Sequence, residues 1–140
     1  MIDRVTAPDP FPPPACSHAS VAEAGARLAF LAGSVPLDTD GKLAGPGDPV
    51  GQAECVPADP GAQPRAAGSG FAHVVGTDVY VVSSGPAVLP AVWDVVEASG
   101  LSAGPHVPTL MGVACPGYTG QSAEITATAV VPDRPGGSSC

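Results

Sequence analysis

The chain has 140 residues and carries 13 acidic against 5 basic side chains, a net charge of −8. This length suits one domain with a modest core, and the lack of a basic cluster argues against nucleic acid or an anionic membrane as a partner. No apolar run approaches the roughly 20 residues that cross a bilayer, and residues 1–5 lack the apolar stretch of a secretion signal, so we expect a cytoplasmic protein.

Glycine and proline are frequent, with 18 of each, and their excess is concentrated in residues 8–14, 45–49 and 57–64. The segments between these stretches alternate in the manner of strands, which indicates a globular domain with broken connections. We expect a Pro-rich N-terminal extension at 1–14, one domain at 15–131 and a flexible tail at 132–140.

The cysteines and histidines show no ligand spacing that would predict a metal site. Without a secretion signal, free thiols are favoured over disulfides. The four cysteines are Cys16, Cys55, Cys115 and Cys140, and the three histidines are His18, His73 and His106.

The first half of the chain predicts one strand and one doubtful helix. Residues 26–33 read as a strand with Leu28 and Phe30 on one face, and Asp40 with Gly41 then supplies turn chemistry. Residues 51–55 begin like a helix, but prolines follow at 57, 60 and 64. Each interior proline costs a helix about 3 kcal/mol, so only tertiary context can hold a helix here.

The second half predicts a strand, a helix and two further strands. Residues 77–82 are β-branched and aromatic, as in a central strand. Residues 83–86 supply a helix start with Pro86 at its first position, and Gly100 closes that helix. Residues 110–115 form the next strand, and residues 123–131 alternate with Glu124, Thr126 and Thr128 on one face.

The order of these elements and several local motifs resemble the RidA/YjgF family. FLAGSVPLD at 30–38 is similar to the family's strand–Gly–x–Ile/Val–Pro motif, and Gln52–Ala53 to the start of its first helix. FAHVVGTDVYVV at 71–82 resembles the strand between its helices, and TLMGVA at 109–114 with AEITATA at 123–129 resembles its final strand pair. The resemblance covers residues 15–131.

The resemblance implies an α+β fold, a mixed sheet with two helices packed on one face. It also implies a homotrimer whose sheets surround a central barrel, with sites in the clefts between subunits. Many members of the family hydrolyse reactive enamines and imines to a carbonyl product and ammonia without a cofactor or a metal. An arginine holds the substrate carboxylate there, and a glutamate handles the water.

Only part of the family's site is matched. Glu124 corresponds to the glutamate, although its alternation alone favours a solvated strand face. Thr109 and Gly33 match a cleft hydroxyl residue and the first-motif glycine, and each also reads as an ordinary strand residue. Cys16 stands where many relatives have an aromatic residue. His106 lies beside the cleft and can serve as an acid or base, although an exposed loop histidine is the favoured interpretation.

The arginine is absent, because its position is occupied by Pro108. The substrate therefore lacks a carboxylate, another donor replaces the arginine, or the chain has lost catalysis. The prolines at 57, 60 and 64 suggest the further hypothesis of a destabilised relative. We favour an enzyme, an enamine/imine hydrolase with Glu124 positioning water. The alternatives are a non-catalytic trimer that binds a small molecule or a protein, and an imine-processing enzyme of a biosynthetic pathway.

Overall fold

A computed structural model describes residues 2–9, 16–56, 61–83, 85–101 and 107–134. Within these ranges the chain forms strands and helices in the order β1 (Ile2–Val5), β2 (Ala19–Ala22), β3 (Arg27–Ser34), α1 (Pro49–Cys55), α2 (Ala62–Ala66), β4 (Val74–Val82), α3 (Val88–Ala98), β5 (Val107–Val113) and β6 (Ala123–Val131). A single 3-10 turn at Phe71–His73 leads into β4.

The main sheet has four strands in the order β3-β6-β4-β5. β6 is antiparallel to both β3 and β4, whereas β4 and β5 are parallel and are joined through α3. A parallel pair needs such a crossover, since a tight turn cannot return the chain to the same end of the sheet. The predicted mixed α+β sheet is confirmed.

The core lies between one face of this sheet and the helices. Val79 and Val81 alternate inward from β4 and are fully buried, as are Val92 and Val96 of α3. Ala53 of α1 joins the same cluster. Alternation along a strand sends every second side chain to the other face, so the neighbours of these residues define an opposite face without core contacts.

Each of the three described helices has a proline in its first turn, where it does not interrupt the helix. Pro49 is the first residue of α1, whose N-cap Asp48 accepts a hydrogen bond from Gly51 N–H at 3.0 Å. Pro64 and Pro90 are each the third residue of their helix, α2 and α3. The amides of a helix's first turn have no intrahelical acceptor, so these prolines remove no helical hydrogen bond. The expectation that Pro64 would cost a helix about 3 kcal/mol as an interior proline was therefore wrong, because Pro64 lies in the first turn of α2.

The helices differ from the prediction in number and in one boundary. The first helical segment is two short helices, since α1 ends at Cys55 and α2 begins at Ala62. Pro57 and Pro60, which have no backbone N–H to donate, stand between them in the sequence. The described chain therefore has three helices, where two were expected. α3 begins at Val88, two residues after the predicted first position at Pro86, and it ends before Gly100, whose φ of +85° confirms the predicted cap.

The strand predictions hold with small shifts. The strands at 26–33, 77–82 and 123–131 are confirmed, the last with its predicted bounds. β5 begins at Val107, earlier than the predicted residue 110. The turn at Asp40 and Gly41 is confirmed, since Asp38 Oδ1 accepts from two backbone amides of that turn and Leu37 bridges to Leu43.

A separate two-stranded sheet was not anticipated. β1 pairs antiparallel with β2, and Arg4 of β1 donates to the carbonyl oxygens of Ala72 and Val74 at 3.1 and 3.2 Å. Burial lowers the pKa of this guanidinium. Residues 2–5 of the expected extension thus contact the start of β4, while the predicted boundaries at 14 and 131 stay predictions. Among the described residues, no helix is both long and apolar enough to traverse a bilayer.

Candidate functional site

The sheet face turned away from α1 and α3, called here the outer face, carries the polar groups of the central strands. Strand pairing aligns them in rows, because residues directly opposite each other share a face. Glu124 lies opposite Tyr80, and Tyr80 opposite Met111. The next row is Thr126, Asp78 and Thr109. The outer face also includes Phe30, Gly76 and Thr128.

Glu124 and Gly33 are the closest pair of predicted site residues. The register between β3 and β6 shifts between Leu31 and Ser34, and Gly33 lies in that irregular stretch. A Cβ built on Gly33 would approach Cγ of Glu124 to 2.9 Å and Cδ to 2.7 Å. The glutamate side chain therefore lies across the backbone of residue 33, and the absent side chain leaves room for it.

A second carboxylate, that of Asp78, accompanies Glu124 on the outer face. Thr126 Oγ1 donates to Asp78 Oδ2 at 3.4 Å. Because Glu124 pairs with Tyr80, Asp78 is its diagonal neighbour across β4 and β6. Such diagonal residues are roughly 7–8 Å apart in an antiparallel pair. The outer face therefore carries two acidic residues, with the Glu124 side chain directed over β3 and Asp78 on β4, the other neighbour of β6.

The segment that leads into β6 is held by two buried glutamines. Gln52 of α1 is fully buried, and its amide donates to the carbonyls of Gly45 and Gly120 at 3.1 and 2.9 Å, while its oxygen accepts from Ser122 N–H at 2.6 Å. Gln121 accepts from Tyr118 N–H and donates to the carbonyl of Ala123. These contacts fix the backbone just before Glu124 to helix α1.

The remaining predicted residues are not gathered around Glu124. Thr109 shares the outer face but lies on β5, with β4 between it and β6. Pro108 pairs with the buried Thr77 and alternates to the helix-covered face. Cys16 precedes β2 of the separate sheet. His106 lies outside the described residues, as does Cys140.

Sequence reasoning missed Asp78, Tyr80 and Gln52. Asp78 and Tyr80 alternate with the buried Val79 and Val81. Their position on the same face as Glu124 follows from this alternation only when the strand order is also known. Gln52 was noted only as part of a motif. A lone polar residue in a helical segment carries no sequence signal for burial, because its partners are backbone groups of distant loops.

An apolar cavity on the helix side of the sheet is a poor alternative site. Its volume is about 40 Å³, and its walls include Leu31, Phe71, Ile125 and Ala127. None of its described lining residues is titratable. Across the described ranges, no three His, Cys, Asp or Glu side chains gather closely enough to hold a metal ion.

Comparison with known proteins finds similar solved structures. No family sequence model matches the chain, and no curated protein sequence does. Among solved structures, YyfB from Yersinia pestis, a protein of unknown function of the conserved Rid family, is 31% identical with a TM-score of 0.76, covering 91% of this chain and 97% of that one.

Two more distant structures share the fold. RidA from the Antarctic bacterium Psychrobacter is 20% identical with a TM-score of 0.63, covering 91% of this chain and 94% of that one. TdcF from E. coli, solved with bound serine, is 19% identical with a TM-score of 0.62, covering 91% and 92%. With the identity and nearly full coverage of the Yersinia protein, the chain belongs to the Rid (YjgF) family.

Proposed function

We propose that this protein hydrolyses reactive imines, and enamines after their tautomerisation to imines, to a carbonyl compound and ammonia. The observation that carries the proposal is the carboxylate of Glu124, which lies on the outer face against Gly33. Family membership supports the reaction class. Glu124 acts on water, and Gly33 provides the open backbone beside it.

The reaction needs one water and one proton carrier. The water oxygen bonds to the carbon of the protonated imine while one water proton passes to the Glu124 carboxylate, which gives a neutral carbinolamine. Glu124 then returns that proton to the nitrogen. As the carbon–nitrogen bond breaks and ammonia leaves, the hydroxyl proton of the carbinolamine passes to the Glu124 carboxylate and the carbonyl forms. A positioned general base of this kind contributes typically 10²–10⁴-fold in rate. All atoms come from the imine and water, so the step needs no redox partner.

The proposal includes assembly into a homotrimer, with the cleft completed by a neighbouring copy. Its support is the apolar character of the outer face next to the polar rows. Phe30 is 78% exposed, Leu28 46% and Met111 43%. Leu28 and Phe30 lie on the edge strand β3, and Met111 lies on the opposite edge strand β5. Interfaces between copies cover exposed apolar side chains of this kind. The small-molecule partner then binds at the end of the covered face where β6 begins, beside Glu124.

The test follows imine decay in the presence of purified protein. Two imines are generated in place, one from leucine by an L-amino-acid oxidase and one from isoamylamine by a flavin amine oxidase, each with catalase. Semicarbazide traps the remaining imine, so hydrolysis by the protein lowers semicarbazone formation. Faster decay of either imine supports the proposal, provided that Glu124→Gln lowers the rate by about 10²-fold or more.

Two results would contradict this function. Folded wild-type protein that accelerates neither imine would favour the alternative of a non-catalytic trimer that binds a small molecule or a protein. An acceleration that Glu124→Gln leaves unchanged would remove Glu124 from the mechanism. Circular dichroism of both proteins establishes that each is folded before the rates are compared.

A further inference from the structure

We propose that this site selects imines without a carboxylate, either neutral or positively charged, such as those formed by oxidation of simple amines. The inference rests on the proposed function, since it concerns the same cleft. It follows from the charges that the described residues bring to the outer face and from the positions of every basic side chain in the chain.

The acidic side chains of the outer face repel an anionic substrate. Asp78 and Glu124 are diagonal neighbours on adjacent strands, and the other described positions in their rows are Tyr80, Thr126, Thr109 and Met111, none of them basic. A substrate carboxylate within reach of Glu124 would be the third negative charge on this face. At partly buried sites such repulsion is screened less than at an open surface.

The protein has few cations with which to offset that repulsion. Its five basic residues are Arg4, Arg27, Lys42, Arg65 and Arg134, and all lie in the described ranges. A homo-oligomer can supply only further copies of the same five. A carboxylate in a partly dry cleft is held most strongly by one of them, because burying a charge without a countercharge is costly.

Three of the five are positioned away from Glu124 within the subunit. Arg27 pairs with Val131, seven residues along β6 from Glu124, which is about 23 Å at roughly 3.3 Å per residue. Arg134 lies beyond Val131. Arg4 donates to the carbonyls of Ala72 and Val74.

The two others differ in position. Arg65 is on α2, which belongs to the helix side of the sheet. Lys42 is exposed in the turn that ends at Leu43, and Leu43 lies beside Gly120, at the end of the sheet where β6 begins. Lys42 is therefore the basic residue that the test must examine directly.

An imine without a carboxylate is compatible with the negative charges of Asp78 and Glu124. Protonation of its nitrogen makes it a cation, which Asp78 and Glu124 attract. Protonation also makes its carbon a better target for water. The pair of carboxylates thus favours the reactive form of an amine-derived imine and opposes the binding of a 2-imino acid.

The experiment compares two imines that differ only in the carboxylate, the leucine-derived 2-imino acid and the isoamylamine-derived imine. We expect kcat/KM to be at least tenfold higher for the isoamylamine-derived imine. Asp78→Asn keeps the acceptor for Thr126 and removes one negative charge. We expect this substitution to lower the ratio of the two kcat/KM values, isoamylamine-derived imine over 2-imino acid, at least threefold. Asp94→Asn is the matched control, since Asp94 is exposed on α3 and its loss should leave the ratio unchanged.

The outcomes separate this inference from the function on which it rests. Equal rates for the two imines, or a preference for the 2-imino acid, overturn the inference while the hydrolase function stands. A 2-imino acid preference that Lys42→Gln abolishes would identify Lys42 as the carboxylate-binding residue and overturn it as well. If neither imine is accelerated by folded protein, both proposals fail. An unchanged ratio in Asp78→Asn also contradicts the electrostatic basis.

Discussion

The side chain of Glu124 occupies the space into which a side chain on residue 33 would project. An ideal Cβ there would stand 2.9 Å from Cγ of the glutamate, closer than real Cβ contacts allow. Gly33 has no positive φ, so its backbone conformation is open to alanine. The glycine is required by the position of the carboxylate and not by the path of the chain.

Replacing Gly33 by alanine should therefore displace the carboxylate with little loss of stability. We expect imine hydrolysis to fall about 10-fold to 10²-fold, since small misplacements of a catalytic group carry large rate costs. The free energy of unfolding should change by less than about 1 kcal/mol, because a flexible side chain can yield. Kinetics and urea denaturation of the same preparation measure both effects.

Gly70→Ala is the control for this substitution. A Cβ on Gly70 meets nothing within 4 Å, and its φ of −166° is extended backbone that any residue adopts. We expect wild-type activity. If Gly33→Ala also retains full activity, the contact between residues 33 and 124 has no catalytic importance.

Phe30→Asp should dissociate the proposed trimer. The phenyl ring is 78% exposed on the outer face, and a carboxylate buried there between copies would be costly. Sedimentation velocity should show a threefold drop in mass at micromolar concentration, with the fold retained. Ala62→Asp, at an exposed position of α2 on the helix side, should leave the mass unchanged. A wild-type protein that sediments as a monomer would refute the assembly.

Gln52→Ala should destabilise the protein strongly. It leaves the Ser122 N–H without its acceptor, and it removes one of two donors from the carbonyls of Gly45 and Gly120, which keep the N–H groups of Asp48 and Gly47. An unsatisfied buried donor costs about 1–3 kcal/mol and each lost hydrogen bond about 0.5–1.5 kcal/mol, so we expect a loss of about 2–4 kcal/mol in urea denaturation.

Gln63→Ala provides the comparison for Gln52. Gln63 is exposed and accepts one hydrogen bond from Ser34, so its loss should cost under about 1 kcal/mol. Equal effects of the two substitutions would mean that burial of Gln52 adds nothing to stability.

Gly100→Ala should cost about 1–2 kcal/mol, because residue 100 has a φ of +85° and an L side chain in that left-handed region is strained. The added methyl would also stand 3.6 Å from the ring of Phe71, an ordinary contact. Gly85→Ala tests whether the loss of stability comes from the backbone conformation, because Gly85 has open space around it and its φ is not positive. A cost at Gly85 equal to that at Gly100 would contradict the explanation.

Local signals predicted those parts of the fold that depend on neighbours in sequence. The β-branched run of β4, the alternation of β6 and the cap at Gly100 are each encoded within a few residues. Glu124 was found by family resemblance on a correctly predicted strand. Its proximity to Gly33 could not be read in advance, because it depends on a register shift between β3 and β6.

The missed features depend on contacts between distant segments. β1 and β2 have four residues each, too few for alternation to be recognised, and they are held by pairing with each other. Asp78 joins the face that carries Glu124 only when β4 and β6 lie side by side. Gln52 is buried because loops some 70 residues away in sequence supply its partners.

The placement of the prolines at helix starts also affects the unfolded chain. Pro49, Pro64 and Pro90 lie in first turns, where their rings fit the helix without removing a hydrogen bond. In the unfolded state the same rings restrict φ and reduce the number of conformations to be lost on folding. A proline in a compatible position stabilises a protein by about 0.4–1 kcal/mol for this reason. The proline content thus raises the free energy of the unfolded ensemble, and at these three positions it favours a stable domain over a decayed one.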